Sequence, residues 1–436
     1  MSVSPCWRTL ASALWMLCLS LPFPAWTATI GPATLPPLTL ADAVQRARNH
    51  SPDLAVFAFR LSAEDARAEA AGMRPAPQLD LQVENVFGTG RARGLSGAEA
   101  TFALSQVIEL GGQRQRRQSL AGVQRSVVEM DREIAQLDVL AELARRFVHV
   151  AADQEQLALT GLATDLVEAT LKEVQRRVKA GRSPAAELHR SRIAVARAEI
   201  DQEHAEHELL SSRRRLAAMW GDRSADFGPV SAPLFLLPEV ADFAALAERL
   251  SDRPDFLRYL SEQRLHDAEL ALAQARGRGS PTVSAGIRRL QDTADTAVVA
   301  GITLPLFGQR RAQPAVAEAA ARREVSQATQ QAVRIDVEAR LFAMVQEFTH
   351  ATTEVTLLRD RVLPEMDQAL AATEAAWRQG RYSYLELTEA QTERVNLQRT
   401  LIDAAAKAHT YHIEIERLTG MGIGIADATA VTGAQP

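Results

Sequence analysis

Two pairs of histidines have the spacing of metal ligands. His204 and His207, in "EHAEHE", stand three residues apart among glutamates, and His409 and His412 repeat the interval. On a helix, such residues share a face, and two imidazoles side by side can hold a transition-metal ion. A durable site needs a third and fourth ligand, which the sequence does not place beside either pair. The plainer reading is a solvated polar face, so no metal site is fixed. Carboxylates gather in two related stretches, "GRSPAAEL" (181–188) and "GRYSYLELTE" (380–389), as Glu187, Glu386 and Glu389. Ser383-x-x-Glu386 is also a capping box, which would engage Glu386 with backbone N–H groups. Asp80, Glu84 and Glu109 lie on the polar side of alternating stretches, opposed by Arg288. No catalytic constellation emerges, because no Gly-rich turn presents a nucleophile and no loop cradles phosphate. "GTGRARG" (88–94) lacks the strand–helix crossover of a dinucleotide site and reads as a hairpin tip. Neither an enzyme nor a cofactor is expected.

The elements that carry these residues come in two copies. "HSPDLAVFAFRLSAEDARAEA" (50–70) parallels "DRPDFLRYLSEQRLHDAELAL" (252–272), and "PAPQLDLQVE" (75–84) parallels "GSPTVSAGI" (279–287). "IELGGQRQRR" (108–117) matches "LPLFGQRRAQ" (304–313), and "KAGRSPAAELHRSR" (179–192) matches "RQGRYSYLELTEAQ" (378–391). Four matches in the same order indicate a duplication. The repeats span 38–220 and 241–420, joined by a Pro-rich connector at 221–240; an Ala/Thr/Gly-rich tail, 421–436, is read as disordered.

Each repeat reads as helix, strand, strand, long helix, helix. Leu120, Val123, Val127, Met130, Ile134, Leu137, Ala141, Ala144, Val148 and Ala151 step by three and four without a break. That heptad pattern predicts supercoiled helices. A helix over 113–178 would be roughly 100 Å long at about 1.5 Å per residue. Alternation predicts strands over 77–87, 99–110, 281–290 and 297–306, each apolar on one face and near the length of a tilted membrane strand. Gly111-Gly112 and, in the second repeat, Pro305 and Gly308 mark the junctions where strand becomes helix. Gly181 and Gly380 end the long helices, and Pro184 is suited to the first position of the next one. Four strands cannot close a barrel, and open edges are not tolerated in lipid. Several chains must therefore share one barrel.

The N-terminal stretch, 1–28, has the form of a secretory signal: Arg8, an apolar run from Leu10 to Leu21, and small residues around Ala25 to Ala28. Both cysteines, Cys6 and Cys18, fall inside it, so the mature chain would carry no thiol. No later run is long and apolar enough for a membrane helix, so membrane insertion must use strands. A net charge of −5 gives no attraction for nucleic acid.

Together these features resemble the TolC-like outer-membrane efflux proteins over 38–420. "FALSQVIELGGQRQRR" (102–117) looks most like the outer-membrane subunits of heavy-metal efflux systems of the cobalt–zinc–cadmium resistance type. The resemblance implies a homotrimer: a twelve-stranded β-barrel in outer-membrane lipid, continued through the periplasm by a long α-helical barrel. It implies two partners, a periplasmic adaptor (membrane fusion protein) and an inner-membrane resistance–nodulation–division pump. Its function would be passive export of divalent heavy-metal cations. By the same resemblance the turns at Gly181 and Gly380 lie at the periplasmic tip, where Glu187, Glu386 and Glu389 would form carboxylate rings at a narrow mouth. Arg182, Arg378, Arg381 and Tyr382 would bridge neighbouring helices in the closed state. A duct for drugs or type I secretion is an alternative within the class. A periplasmic coiled-coil adaptor is the alternative outside it, disfavoured because an adaptor would not carry two alternating hairpins.

Overall fold

The alternating stretches form one antiparallel sheet in a computed structural model that describes residues 35–420 of the chain. The expected signal segment and the C-terminal tail lie outside the described residues. Strands β1 (Gln78–Glu84), β2 (Glu99–Val107), β3 (Thr282–Leu290) and β4 (Thr296–Thr303) lie side by side in chain order, so the sheet draws two strands from each repeat. Its register aligns like with like. Leu81, Phe102, Ile287 and Val298 form one row across the sheet, and Gln82, Thr101, Arg288 and Ala297 form the adjacent row on the other face. The apolar row is uncovered: Leu81 is 62% exposed and Val298 83%. A sheet with aliphatic side chains on one face and polar ones on the other is suited to standing between lipid and water. Among the described residues, the outer edges of β1 and β4 have no strand partner.

The heptad stretches form the helices. The first repeat contributes α1 (Leu40–His50), α2 (Pro52–Gly72), α3 (Gln113–Lys179) and α4 (Ala185–Ala217). The second contributes α5 (Phe243–Arg249), α6 (Pro254–Arg276), α7 (Gly308–Leu357), α8 (Leu363–Arg378) and α9 (Tyr384–Thr419). Helix α3 runs for 67 residues, roughly 100 Å, and packs along α2, α4, α6 and α9. At mid-height its Leu143, Phe147 and Val150 are buried with Leu216, Trp220, Phe227 and Val230. The connector is thus part of the core. It also pairs with the segment just ahead of α1: the Leu38 N–H donates to the Pro229 carbonyl at 2.9 Å, and the Ser231 N–H to the Leu38 carbonyl at 2.9 Å.

Several expectations are corrected. Strand β2 ends at Val107, so Glu109 does not line the sheet; it forms an ion pair with Arg117, which also donates to the Met73 carbonyl at 3.0 Å. Strand β4 stops at Thr303, just before Pro305, which cannot extend a ladder. The left-handed residue that starts α3 is Gly112 (φ 72°), but the one that starts α7 is Phe307 (φ 60°) and not Gly308. Gly308 is small for another reason: a Cβ there would lie 2.7 Å from the Gly277 carbonyl oxygen. The second long helix is also not uniform. Residues Leu358–Val362 form a π-turn between α7 and α8, just ahead of Pro364. A proline there has no N–H to give and crowds the turn before it, and the wider turn accommodates both. Finally, His409 and His412 do not lie on a solvated face. His409 is half-buried with its Nε2 2.9 Å from the Leu234 carbonyl oxygen, and His412 packs against Phe348.

Candidate functional site

The two helical turns have the same backbone chemistry. Gly181 (φ 69°) and Gly380 (φ 73°) are left-handed residues just past α3 and α8. In the first turn the N–H groups of Gly181 and Arg182 donate to the carbonyls of Val178 (3.0 Å) and Arg177 (2.8 Å). In the second, those of Gly380 and Arg381 donate to the carbonyls of Trp377 (2.9 Å) and Ala376 (2.9 Å). This double closure of a helix end is what a glycine at that position permits. Helix α9 then starts with the full capping box: Glu386 accepts from the Ser383 N–H (2.6 Å) and hydroxyl (2.8 Å). Those bonds hold the Glu386 carboxyl below its usual range.

A contact that sequence reading missed joins the two turns. The Arg177 guanidinium, near the end of α3, donates to the carbonyl of Trp377 at 2.8 Å and that of Arg378 at 3.3 Å. It also lies 4.8 Å from the centre of the Trp377 ring. A cation at the carbonyl end of α8 is favoured by the helix dipole and by the indole face. Beneath it Val174, Leu370, Trp377, Tyr384 and Leu387 form a small buried cluster. The only trace in the sequence is position, since Arg177 and Trp377 sit one turn ahead of the two glycines.

The carboxylates expected at the tip divide into two groups. Glu386 and Glu389 are exposed and line one open groove with Glu393 and Met366. Glu187 stands on the other turn beside Tyr384. Burial raises the Tyr384 phenol pKa, the Glu187 charge adds to the rise, and Arg190 opposes it. One Glu187 oxygen is buried with no hydrogen-bond partner among the described residues. Arg182, Arg378, Arg381 and Tyr382 are exposed.

On the polar face of the sheet, Arg288 meets Glu99 at 3.1 Å, Glu84 at 3.6 Å and the Thr101 hydroxyl at 3.0 Å. Glu99 was not singled out from the sequence because it opens its strand. Asp80 accepts from the Ser105 hydroxyl at 2.7 Å. At the strand-to-helix seam Gly111 (φ 72°) packs against Arg278 of the second repeat, and Gln113 donates to Ser280 (3.2 Å) and the Ala275 carbonyl (3.3 Å). Pro305 packs on Gly279 at the corresponding place. His204 is exposed, and His207 lies 3.8 Å from Glu203. Among the described residues no three His, Cys, Asp or Glu side chains are grouped to hold a metal, and no helix is long and apolar enough to cross a membrane.

A sheet with one exposed apolar face, feeding paired long helices, has a counterpart among known families. Residues 43–222 match the model of the outer membrane efflux protein family. The chain resembles that family over its first repeat. It is an outer-membrane channel protein and not an enzyme, with its sheet in the membrane and its helices in the periplasm. It is 24% identical to the cobalt-zinc-cadmium resistance protein CzcC of Cupriavidus metallidurans, over 88% of this chain and 90% of that one. It is 25% identical to the pyoverdine export outer membrane protein OpmQ of Pseudomonas putida, over 83% of each. Among solved structures, that of CusC superimposes with a TM-score of 0.73, covering 89% of this chain and 94% of CusC at 15% identity. VceC of Vibrio cholerae gives 0.68, covering 88% and 96% at 18% identity.

Proposed function

We propose that this chain is the exit duct of a tripartite efflux system and that its cargo is divalent transition-metal cations. The observation that carries the duct is the sheet: apolar on one face, polar on the other, unpaired at both edges among the described residues, and continued through two left-handed seams into helices. Three copies would supply twelve strands and remove every edge, leaving a lumen wide enough for water and ions. Export is passive; the energy comes from an inner-membrane resistance–nodulation–division pump, reached through a periplasmic adaptor. Residues 1–28 act as the secretory signal. At the periplasmic end, Glu187, Glu386 and Glu389 form acidic rings that favour cations. Gly181, Arg182, Gly380, Arg381 and Tyr382 form the turns and closed-state contacts that separate on opening.

The metal cargo is supported by the likeness to CzcC and to the nickel-cobalt-cadmium resistance protein NccC of Alcaligenes xylosoxydans xylosoxydans. A second reading, a duct for organic molecules, is supported by the likeness to OpmQ. A deletion strain separates them. Growth inhibition by zinc, cobalt, cadmium or nickel at several-fold lower concentration, restored by the intact gene, is the expected result. Unchanged metal tolerance together with new sensitivity to drugs would overturn the metal reading and leave the duct standing. The ring assignment has its own test in planar bilayers. Glu386→Gln retains the cap, because glutamine serves that position too, and removes only charge. If Glu386→Gln with Glu389→Gln leaves cation selectivity as in wild type, the rings are not the filter.

A further inference from the structure

We propose that Arg288 sets the charge selectivity of the barrel lumen, at a point far along the duct from the helical turns. The inference rests on the duct reading above. The charged side chains that the four strands place on the polar face are three carboxylates, Asp80, Glu84 and Glu99, and one base, Arg288. Glu84 and Glu99 stand directly opposite each other in the β1–β2 register. Like charges in that position repel. Arg288 comes from the third strand, opposite Thr101, and reaches both carboxylates while its Nε donates to the Thr101 hydroxyl. A guanidinium fork can address three oxygens at once, which an ammonium does less well. Asn85, just past β1, adds a hydrogen bond to Glu99 at 2.9 Å.

The arrangement fixes an order of charges along the wall. Asp80 lies toward the helical end of β1, and the Glu84–Glu99–Arg288 group lies at the hairpin end. A cation on its way out meets a lone carboxylate and then a group with one surplus negative charge. Arg288 thus does two things: it relieves the Glu84–Glu99 repulsion and it reduces the negative charge at the outer part of the lumen. Without it the wall would bind cations more strongly and exclude anions more completely. The next residue, Arg289, is on the opposite face of the sheet and bonds to Thr296, so it offers a matched control.

The experiment is ion selectivity of the full-length trimer in planar bilayers, read as the potassium-to-chloride permeability ratio under a salt gradient. Arg288→Gln should raise the ratio at least twofold, Glu84→Gln with Glu99→Gln should lower it, and Arg288→Lys should restore the wild-type value. Arg289→Gln should leave it unchanged. Migration of the heat-modifiable trimer checks assembly. If Arg288→Gln does not assemble, Glu84→Gln alone decides, with a lower ratio expected. Assembled channels with the same ratio in wild type, Arg288→Gln and Glu84→Gln would overturn the role of Arg288 and leave the duct intact. An equal rise in Arg289→Gln would overturn it as well. Wild-type trimers that pass no ions would overturn the duct reading, and this inference with it.

Discussion

Arg417 shows how single side chains tie the helical part together. It is 8% exposed and joins α9 to two other helices, meeting Asp255 of α6 at 2.8 and 2.9 Å and Asp138 of α3 at 2.7 Å. Burial alone would raise the Asp255 carboxyl, but the bonds and charge of Arg417 outweigh it and hold the group below its ordinary value. A depressed carboxylate contributes stability above its unfolded pKa of about 3.9 and loses it as pH falls through the lower folded value. Arg417→Met should therefore lower the melting temperature at neutral pH and flatten the loss of stability below about pH 4. The cost should be about 1–3 kcal/mol, below the figure for a fully buried pair because both aspartates retain water. Helical circular dichroism against temperature at several pH values measures both effects. An unchanged pH slope would assign the acid sensitivity to other carboxylates. Arg177 is the corresponding tie between the two turns. If it helps to hold the tip closed, Arg177→Ala should raise single-channel conductance severalfold while the trimer remains intact.

At the scale of elements, the π-turn at Leu358–Val362 carries a prediction. Each residue of an α-helix advances the chain by about 100°. Deleting Asp360 removes the extra residue of the wider turn and would leave the phase of α8 nearly unchanged, whereas deleting Gln368, within regular α8, would rotate the part beyond it by about that angle. Leu370 and Trp377 would then leave the cluster they form with Val174 and Leu387. Trimers should still assemble on the intact sheet and upper core, while export is lost, as growth on the exported substrate would register. The glycines separate in the same way. Gly308→Ala forces a Cβ against the Gly277 carbonyl and should reduce the yield of folded trimer. Gly122, exposed within α3 with open space beside it, should instead stabilise its helix by roughly 0.5–1 kcal/mol when changed to alanine. These contrasts mark what sequence could and could not supply. Unbroken three- and four-residue steps foretold a helix through α3, because that pattern survives whatever packs on it. They did not foretell that Leu143, Phe147 and Val150, beside the heptad row, would be buried as well as Ala141 and Ala144 within it, because α3 is enclosed by neighbours on several sides. Nor did they show the π-turn, whose only sign is Pro364. Phe307 in a left-handed conformation went unread because an adjacent glycine offered the simpler candidate.

At the scale of the whole molecule, the decisive question is which face of the sheet meets lipid. Alternation in the sequence already divided the residues between two faces. What it could not supply was the alignment across strands, since a slip of one residue would move every side chain to the other face. The register settles that alignment by placing Leu81, Phe102, Ile287 and Val298 in one exposed row. If this row faces acyl chains, a buried charge there is severe: an arginine at mid-membrane on a barrel's outer wall costs about 2–4 kcal/mol. In a trimer that cost is incurred three times. Val298→Arg should therefore abolish the heat-modifiable trimer and leave the chain outside the outer-membrane fraction. Gln82→Lys, in the adjacent row on the polar face, should assemble normally, because its charge meets water in the lumen. It should show itself only as reduced cation selectivity, by adding a positive charge beside Thr101 and Arg288. Fractionation and unheated gel migration of the two variants decide the matter. Normal assembly of Val298→Arg with failure of Gln82→Lys would reverse the sheet, turning the charged group around Arg288 from the lumen toward the lipid.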